Sequence, residues 1–386
     1  MYYSIESGLT SICGYIQSGN CRLTELNIAS NQVGVEGATA LINAITYGNG
    51  SVSKLVLSYN RIGVEGALSL AIALKSEHCR LTELSLCGNQ IGVEGATALA
   101  NAIQSENCRL THLDLGANQI GVEGASALAS AIQSEHCRLT VLYLHANKIG
   151  YEGASSLANA IQSGNCTLTV MHLNGNRIGD EGAIALAEVF QSGISRITNL
   201  DLSCNEIGDK AATALANSIQ SGQCRITALN LNDNEIGVEG ALSLANALKS
   251  EHCRITELEL GANQIGDEGA SALANSIQSE QCRLKTLNLL CNLIGDIGAT
   301  ALAHAIQSNN CSLTELFLEG NRIGDDGASA IALAIISGQF TFKELCLSDN
   351  SFGIYGRHAL LLAIQSGKCR QDQLVFDLHD DDDGDD

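Results

Sequence analysis

The chain has 386 residues with no proline, no tryptophan and only 4% aromatic side chains. Average usage would supply roughly 19 prolines in this length, so the composition argues against a multidomain enzyme with linkers and irregular active-site loops. A hydrophobic content of 45% must build its core from Leu, Ile, Ala and Val, and a net charge of −21 argues against nucleic acid or an anionic membrane as partner, leaving a basic protein partner or plain solubility.

Residues 1–20 carry neither the charged n-region nor the apolar h-region of a secretory leader. Ile16, Gln17 and Ser18 stand in the register of the helical halves that follow, so this segment is predicted to be an N-terminal helical cap. From 21 to 368 run twelve units of 29 residues with no insertion or deletion. Asn31, Asn60, Asn89, Asn118, Asn147, Asn176, Asn205, Asn234, Asn263, Asn292, Asn321 and Asn350 mark them, each with a glycine three residues on. In the unit at 108–136, the alternation of Leu113 and Leu115 predicts a short strand with one buried face. Ala125, Leu128, Ala129 and Ile132 then fall at i, i+3, i+4 and i+7, a helix with one apolar stripe. Residues 369–379 repeat the strand half, with Leu374 and Phe376 in the buried positions. The acidic run 380–386 is predicted to be disordered. No stretch approaches the 18 or so apolar residues of a transmembrane helix. Fifteen cysteines in a long chain without a leader point to reduced thiols and a cytoplasmic location.

One strand and one helix cannot bury their own apolar faces, but stacked copies can. Strands then form a parallel sheet spaced about 4.8 Å apart, and the wider helices force the stack to curve with the strands inside. The strand motif L-x-x-L-x-L-x-x-N resembles that of leucine-rich repeats. The 29-residue length, the N-x-I-G-x-E-G-A-x-x-L-A-x-A-I half and the C-R-L opening are similar to the ribonuclease-inhibitor subtype. That subtype includes repeat domains of Nod-like receptors and of Ran GTPase-activating proteins. The resemblance implies an α/β right-handed solenoid or horseshoe, with a parallel β-sheet on the concave face and α-helices on the convex face. It also implies a protein-binding function without catalysis. Two narrower functions follow from the same likeness: a GTPase-activating protein, or an inhibitor of a basic enzyme. Arrays this uniform occur in cytosolic eukaryotic proteins and in bacterial effectors acting in a host cytosol.

Several ladders read as scaffold. The asparagines are expected to bond backbone groups of neighbouring turns. Cys21, Cys79, Cys108, Cys137, Cys166, Cys224, Cys253, Cys282, Cys311 and Cys369 share one position with Gly50, Ser195 and Phe340, which suggests packing and not ligation. The arginines that follow many of them (Arg80, Arg109, Arg138 and others) are expected to neutralise Glu36, Glu65, Glu94 and Glu123 at helix starts. Val35, Val64, Val93, Val122 and Tyr151 either pack between turns or form an apolar docking stripe. Later units place Asp180, Asp209, Asp267, Asp296 and Asp325 there, predicted to be N-caps of their helices.

Specificity is expected at the variable positions six, four, two and one before each Asn, which face outward from the strands. Units four to seven present His112, Asp114, Tyr143, His145, His172, Asn174 and Asp201. Asp114, Tyr143, His172 and Asp201 form a row. His145 lies diagonal to His172, and their imidazoles are placed to meet over a carboxylate. Such a group can contact a partner, hold a metal or do acid–base work. We read it as a partner contact and assign no metal, cofactor or catalytic residue. Units eight to twelve present Asp233, Glu257, Glu259, Glu315, Glu319, Glu344 and Asp349, with Phe317 among them. These either steer a basic partner or form a solvated acidic face. Capped ends are expected to keep the array monomeric.

Overall fold

The computed structural model describes residues 5–18, 20–48, 51–338 and 341–377. The acidic segment 380–386 lies outside the described residues. The chain divides into two compact units, one of Met1–Ile178 with Ser192–Asp201 and one of Gly179–Gln191 with Leu202–Asp386.

In the first unit the elements are α1 (Ile5–Gln17), β1 (Glu25–Asn27), α2 (Gly34–Tyr47), β2 (Lys54–Val56), α3 (Gly63–Leu74), β3 (Glu83–Ser85), α4 (Gly92–Ile103), β4 (His112–Asp114), α5 (Gly121–Ile132), β5 (Val141–Tyr143), α6 (Gly150–Gln162), β6 (Val170–His172) and β7 (Asn199–Asp201). The second unit holds α7 (Gly179–Gln191), α8 (Asp209–Gln220), β8 (Ala228–Asn230), α9 (Val238–Leu248), β9 (Glu257–Glu259), α10 (Gly266–Ile277), β10 (Thr286–Asn288), α11 (Asp296–Ile306), β11 (Glu315–Phe317), α12 (Asp325–Ser337), β12 (Glu344–Cys346), α13 (Ile354–Gln365) and β13 (Leu374–Val375). Within each unit the strands pair in parallel and in chain order, each residue opposite the one 29 positions on. The helices pack side by side in the same order. This is the strand–helix solenoid expected from the repeat.

The core forms where the periodicity placed it. Leu110, Leu113, Leu115, Ala125, Leu128, Ala129 and Ile132 are all buried, each large side chain contributing roughly 1.5–3 kcal/mol. The asparagine ladder satisfies the turn backbone. Asn118 gives its side-chain amide to the carbonyls of Leu86, Leu115 and Gly116. Asn147 Oδ1 accepts from the N–H groups of Asn118 and Ile120 one turn earlier. Cys79, Cys108, Cys137 and Cys166 are buried thiols, and burial pushes each of them up, Cys137 to about 11. At the C-terminal end Leu374 is buried, whereas Phe376 is half-buried and meets Phe352 edge-on, with ring centroids 6.4 Å apart.

Two expectations are corrected. The Asp side chains do cap helices, but each caps the helix of the following repeat. Asp180 Oδ1 accepts from Gly208 N–H at 2.8 Å and Ala211 N–H at 3.3 Å. Asp296 Oδ1 accepts from Gly324 and Gly327 at 2.7 and 2.8 Å. The conformation of the receiving glycine depends on this. Behind an Asp, Gly208 has φ −104 and ψ −165, extended backbone open to any residue. Behind Val238, Gly266 has φ +60 and gives its N–H instead to the carbonyl of Asn292 (2.9 Å). The first unit follows the second pattern, with Gly121 and Gly150 at φ 66 and 65 and the Val93 and Val122 methyls placed against them. The arginine stripe does not pair with the helix-start glutamates in any ion pair among the described residues. The two groups sit at opposite ends of the helices, such as 12-residue α4, about 18 Å long. Arg109 and Arg138 instead stand near Cys79 and Cys108 of the preceding repeat.

Candidate functional site

The first unit carries a row of polar and aromatic side chains on its open sheet face. Ser85, Asp114, Tyr143, His172 and Asp201 lie opposite one another on β3 to β7. Strand alternation turns these residues away from the buried leucines beside them. Tyr143 and His172 stack, with ring centroids 4.4 Å apart and planes at 29°. His112 Nδ1 lies 2.9 Å from Thr111 Oγ1, which orients its ring. His112, Asp114 and Tyr143 line one side of a depression of about 230 Å³, with Lys54 and Glu83 on the other. Asn174 and Asp201 are half-buried on the same face.

His145 does not join His172. Its ring lies back over Gly116, where an added Cβ would collide with the imidazole. Nε2 thereby reaches to 3.5 Å from the Sγ of Cys87, two repeats earlier. The reason is local. Gly116 leaves the space toward Cys87 empty, whereas Asn174 carries a side chain at the equivalent place on the other side. Asp114 completes the group, its carboxylate held by Ser85 Oγ (2.8 Å to Oδ2) and Gly116 N–H (3.0 Å to Oδ1). Cys87 is a residue that sequence reasoning missed. It occupies a variable position, two before Asn89, but in the unit just before the window that stood out. The available signal was the column Cys87, Gly116, His145.

The second unit carries carboxylates on its own sheet face. Glu257 and Glu315 flank Thr286 in register, and Glu259 and Phe317 flank Asn288. Glu259 Oε2 accepts from Asn288 Nδ2 (2.7 Å), and Glu315 Oε2 from Thr286 Oγ1 (2.9 Å). Burial, with the charges of Glu259 and Glu315, pushes the Glu257 carboxyl up. Among the described residues, Lys343 is the one cation paired with this group, 3.5 Å from Glu315 and largely exposed. Glu319 has a buried Oε2 without a hydrogen-bond partner, Phe317 is half-buried, and Asp233 is exposed at φ 53. The structure thus brings Glu257, Glu259 and Glu315 together, with Phe317 beside them.

The family model described as Leucine Rich repeat matches residues 19–41, 48–71, 78–100, 106–129, 136–158, 164–187, 197–216, 224–245, 252–274, 281–303 and 309–332. No curated protein matches the sequence. Among solved structures, an internalin (inlF) from Listeria monocytogenes aligns over 97% of this chain and 94% of its own, at 20% identity and a TM-score of 0.55. A chain from the Rad7 and Elc1 complex in yeast aligns over 94% of this chain and 81% of its own, at 16% identity and a TM-score of 0.53. At these identities the likeness is one of fold. No helix among the described residues is long and apolar enough to cross a membrane.

Proposed function

Because the chain belongs to the leucine-rich-repeat family, we propose that it is a protein-binding scaffold whose sheet face takes a basic protein partner. The carrying observation is the carboxylate group Glu257, Glu259 and Glu315. Thr286 holds Glu315 and Asn288 holds Glu259, and among the described residues the one cation paired with the group is the exposed Lys343. Glu259 and Glu315 are thereby oriented at little further cost in side-chain entropy, and the excess negative charge gains most when a cationic surface covers it. The stacked Tyr143 and His172 supply, in the first unit, the rigid contact area typical of binding hot spots. The 29-residue strand–helix unit supports assignment to the ribonuclease-inhibitor-like subtype, and we propose that the chain acts as a cytoplasmic monomer, by binding and not by catalysis. The net charge of −21 weighs against nucleic acid as the ligand.

Capture from lysate on the immobilised chain, followed by mass spectrometry at low and high salt, tests this. Basic proteins are expected to be enriched at low salt and to be lost with the Glu257→Lys/Glu259→Lys/Glu315→Lys variant. Equal capture by that variant overturns the basic-partner reading.

A further inference from the structure

We propose that Cys87, Asp114 and His145 bind a divalent transition-metal ion of the zinc class. Their ligating atoms all lie within 4.8 Å of one another, the one such group of three among the described residues. Thiolate, imidazole and carboxylate are the donor types that zinc takes, at bond lengths of about 2.3, 2.0 and 2.1 Å. A tetrahedral ion with those bonds sets its sulfur and nitrogen ligands about 3.6 Å apart. Cys87 Sγ and His145 Nε2 are separated by 3.5 Å. The thiol and the imidazole therefore stand at the spacing that a shared ion requires, with a carboxylate oxygen of Asp114 within 4.8 Å of both.

The surroundings hold each donor in that arrangement. Asp114 takes hydrogen bonds from Ser85 Oγ and from Gly116 N–H, and Ser58 Oγ lies 2.8 Å behind Ser85. Cys87 lies 3.6 Å from the Tyr59 hydroxyl, to which its S–H donates and from which a thiolate would accept. Such outer partners orient metal ligands and tune their basicity. Gly116 provides the slot for the imidazole. A bound divalent ion deprotonates a coordinating thiol outright.

Elsewhere the column that supplies Cys87 and His145 reads Ala29, Ser58, Gly116, Asn174, Ser203, Asn232, Gly261, Leu290, Glu319 and Ser348, none of which supplies thiol or imidazole. The donor set is thus a local departure from the repeat and not a consequence of it. Three protein ligands leave the fourth tetrahedral position for water or for a side chain of a bound partner. The proposal is independent of the acidic face of the second unit.

The test is titration of the chelator-stripped full-length chain with Co²⁺ and with Zn²⁺. One equivalent of Co²⁺ is expected, with thiolate-to-cobalt charge-transfer absorption that Zn²⁺ displaces. The absorption should vanish in Cys87→Ser. Affinity should fall at least tenfold in His145→Ala and Asp114→Asn, and also in Gly116→Ala, where the new Cβ displaces the ring. Cys291→Ser, which alters an exposed thiol outside the group, should bind as the parent does. Circular dichroism confirms folding, and Asp114→Asn keeps the side-chain shape should Cys87→Ser be poorly folded. Absence of charge transfer, or its persistence in Cys87→Ser, overturns the site. So does parental affinity in both His145→Ala and Asp114→Asn.

Discussion

A helix start in the second unit is set by a side chain one repeat upstream, and Asp180 with Gly208 tests this. Replacing Asp180 by Val removes the acceptor of the Gly208 and Ala211 N–H groups. A lost cap costs about 1 kcal/mol, and the lost anion at a helix N-terminus adds roughly 0.3–1 kcal/mol. Part of this is recovered. Gly208 can move to the left-handed conformation that Gly266 already adopts behind Val238 and give its N–H to the carbonyl of Asn234. The net loss expected is about 1 kcal/mol. Gly208→Ala alone is accommodated, because φ is −104 and the nearest atom to the new Cβ is 3.6 Å away. It should stabilise by about 0.4–1 kcal/mol through the unfolded chain. Together the two changes conflict, since an alanine in the left-handed region costs about 1–2 kcal/mol. The alanine forgoes the move, so the double variant should fall below the sum of the singles by what the move recovers, up to about 1 kcal/mol. The reverse cycle is available nearby: Gly266→Ala should destabilise, and Val238→Asp should rescue it. Repeat arrays depart from two-state unfolding, so urea midpoints should be read with hydrogen exchange at the Ala211 and Ala212 amides. A coupling below about 0.5 kcal/mol, the scatter of independent sites, would refute the reasoning.

Three further outcomes follow from the same contacts. Asn147→Ala strips the acceptor from the N–H groups of Asn118 and Ile120, while the carbonyls of Leu115 and Leu144 keep the amides of Asn118 and Asn176. At about 1–3 kcal/mol per buried unsatisfied group, it should cost at least about 2 kcal/mol in urea unfolding, well above a surface substitution. The raised Glu257 carboxyl means that the folded state holds this proton more tightly than the unfolded state. Its ionised form therefore costs stability above the folded pKa, so Glu257→Gln should raise the unfolding midpoint at neutral pH. That gain should shrink as pH falls through the folded pKa and be absent below the ordinary 4.5. The buried thiols of Cys137 and Cys253, both pushed up to about 11, should resist alkylation of the native chain at neutral pH, while exposed Cys291 reacts. Mass-spectrometric mapping of the modified sites checks this.

The scaffold was legible because its demands are identical in every repeat. Each Leu of the strand, each Ala of the helix and each ladder Asn meets the same neighbours, so spacing alone identifies them. What escaped was set between repeats. Asp180 read within its own repeat is an N-cap for its own helix, but its acceptor oxygen serves Gly208 and Ala211 of the next. His145 read beside its sequence neighbours leans toward His172, but the missing side chain of Gly116 decides its direction. Its partner Cys87 lies 58 residues away, a separation at which no local periodicity operates. Leu290 lies back over Gly261 in the same way as His145 over Gly116. In such an array a glycine at this position of the sheet face is therefore a gap that the following repeat fills. A side chain that enters the gap is carried toward the repeat before. The chemistry of the open face is accordingly read down each column, 29 residues at a step, with the small residues marking where two distant side chains are allowed to meet.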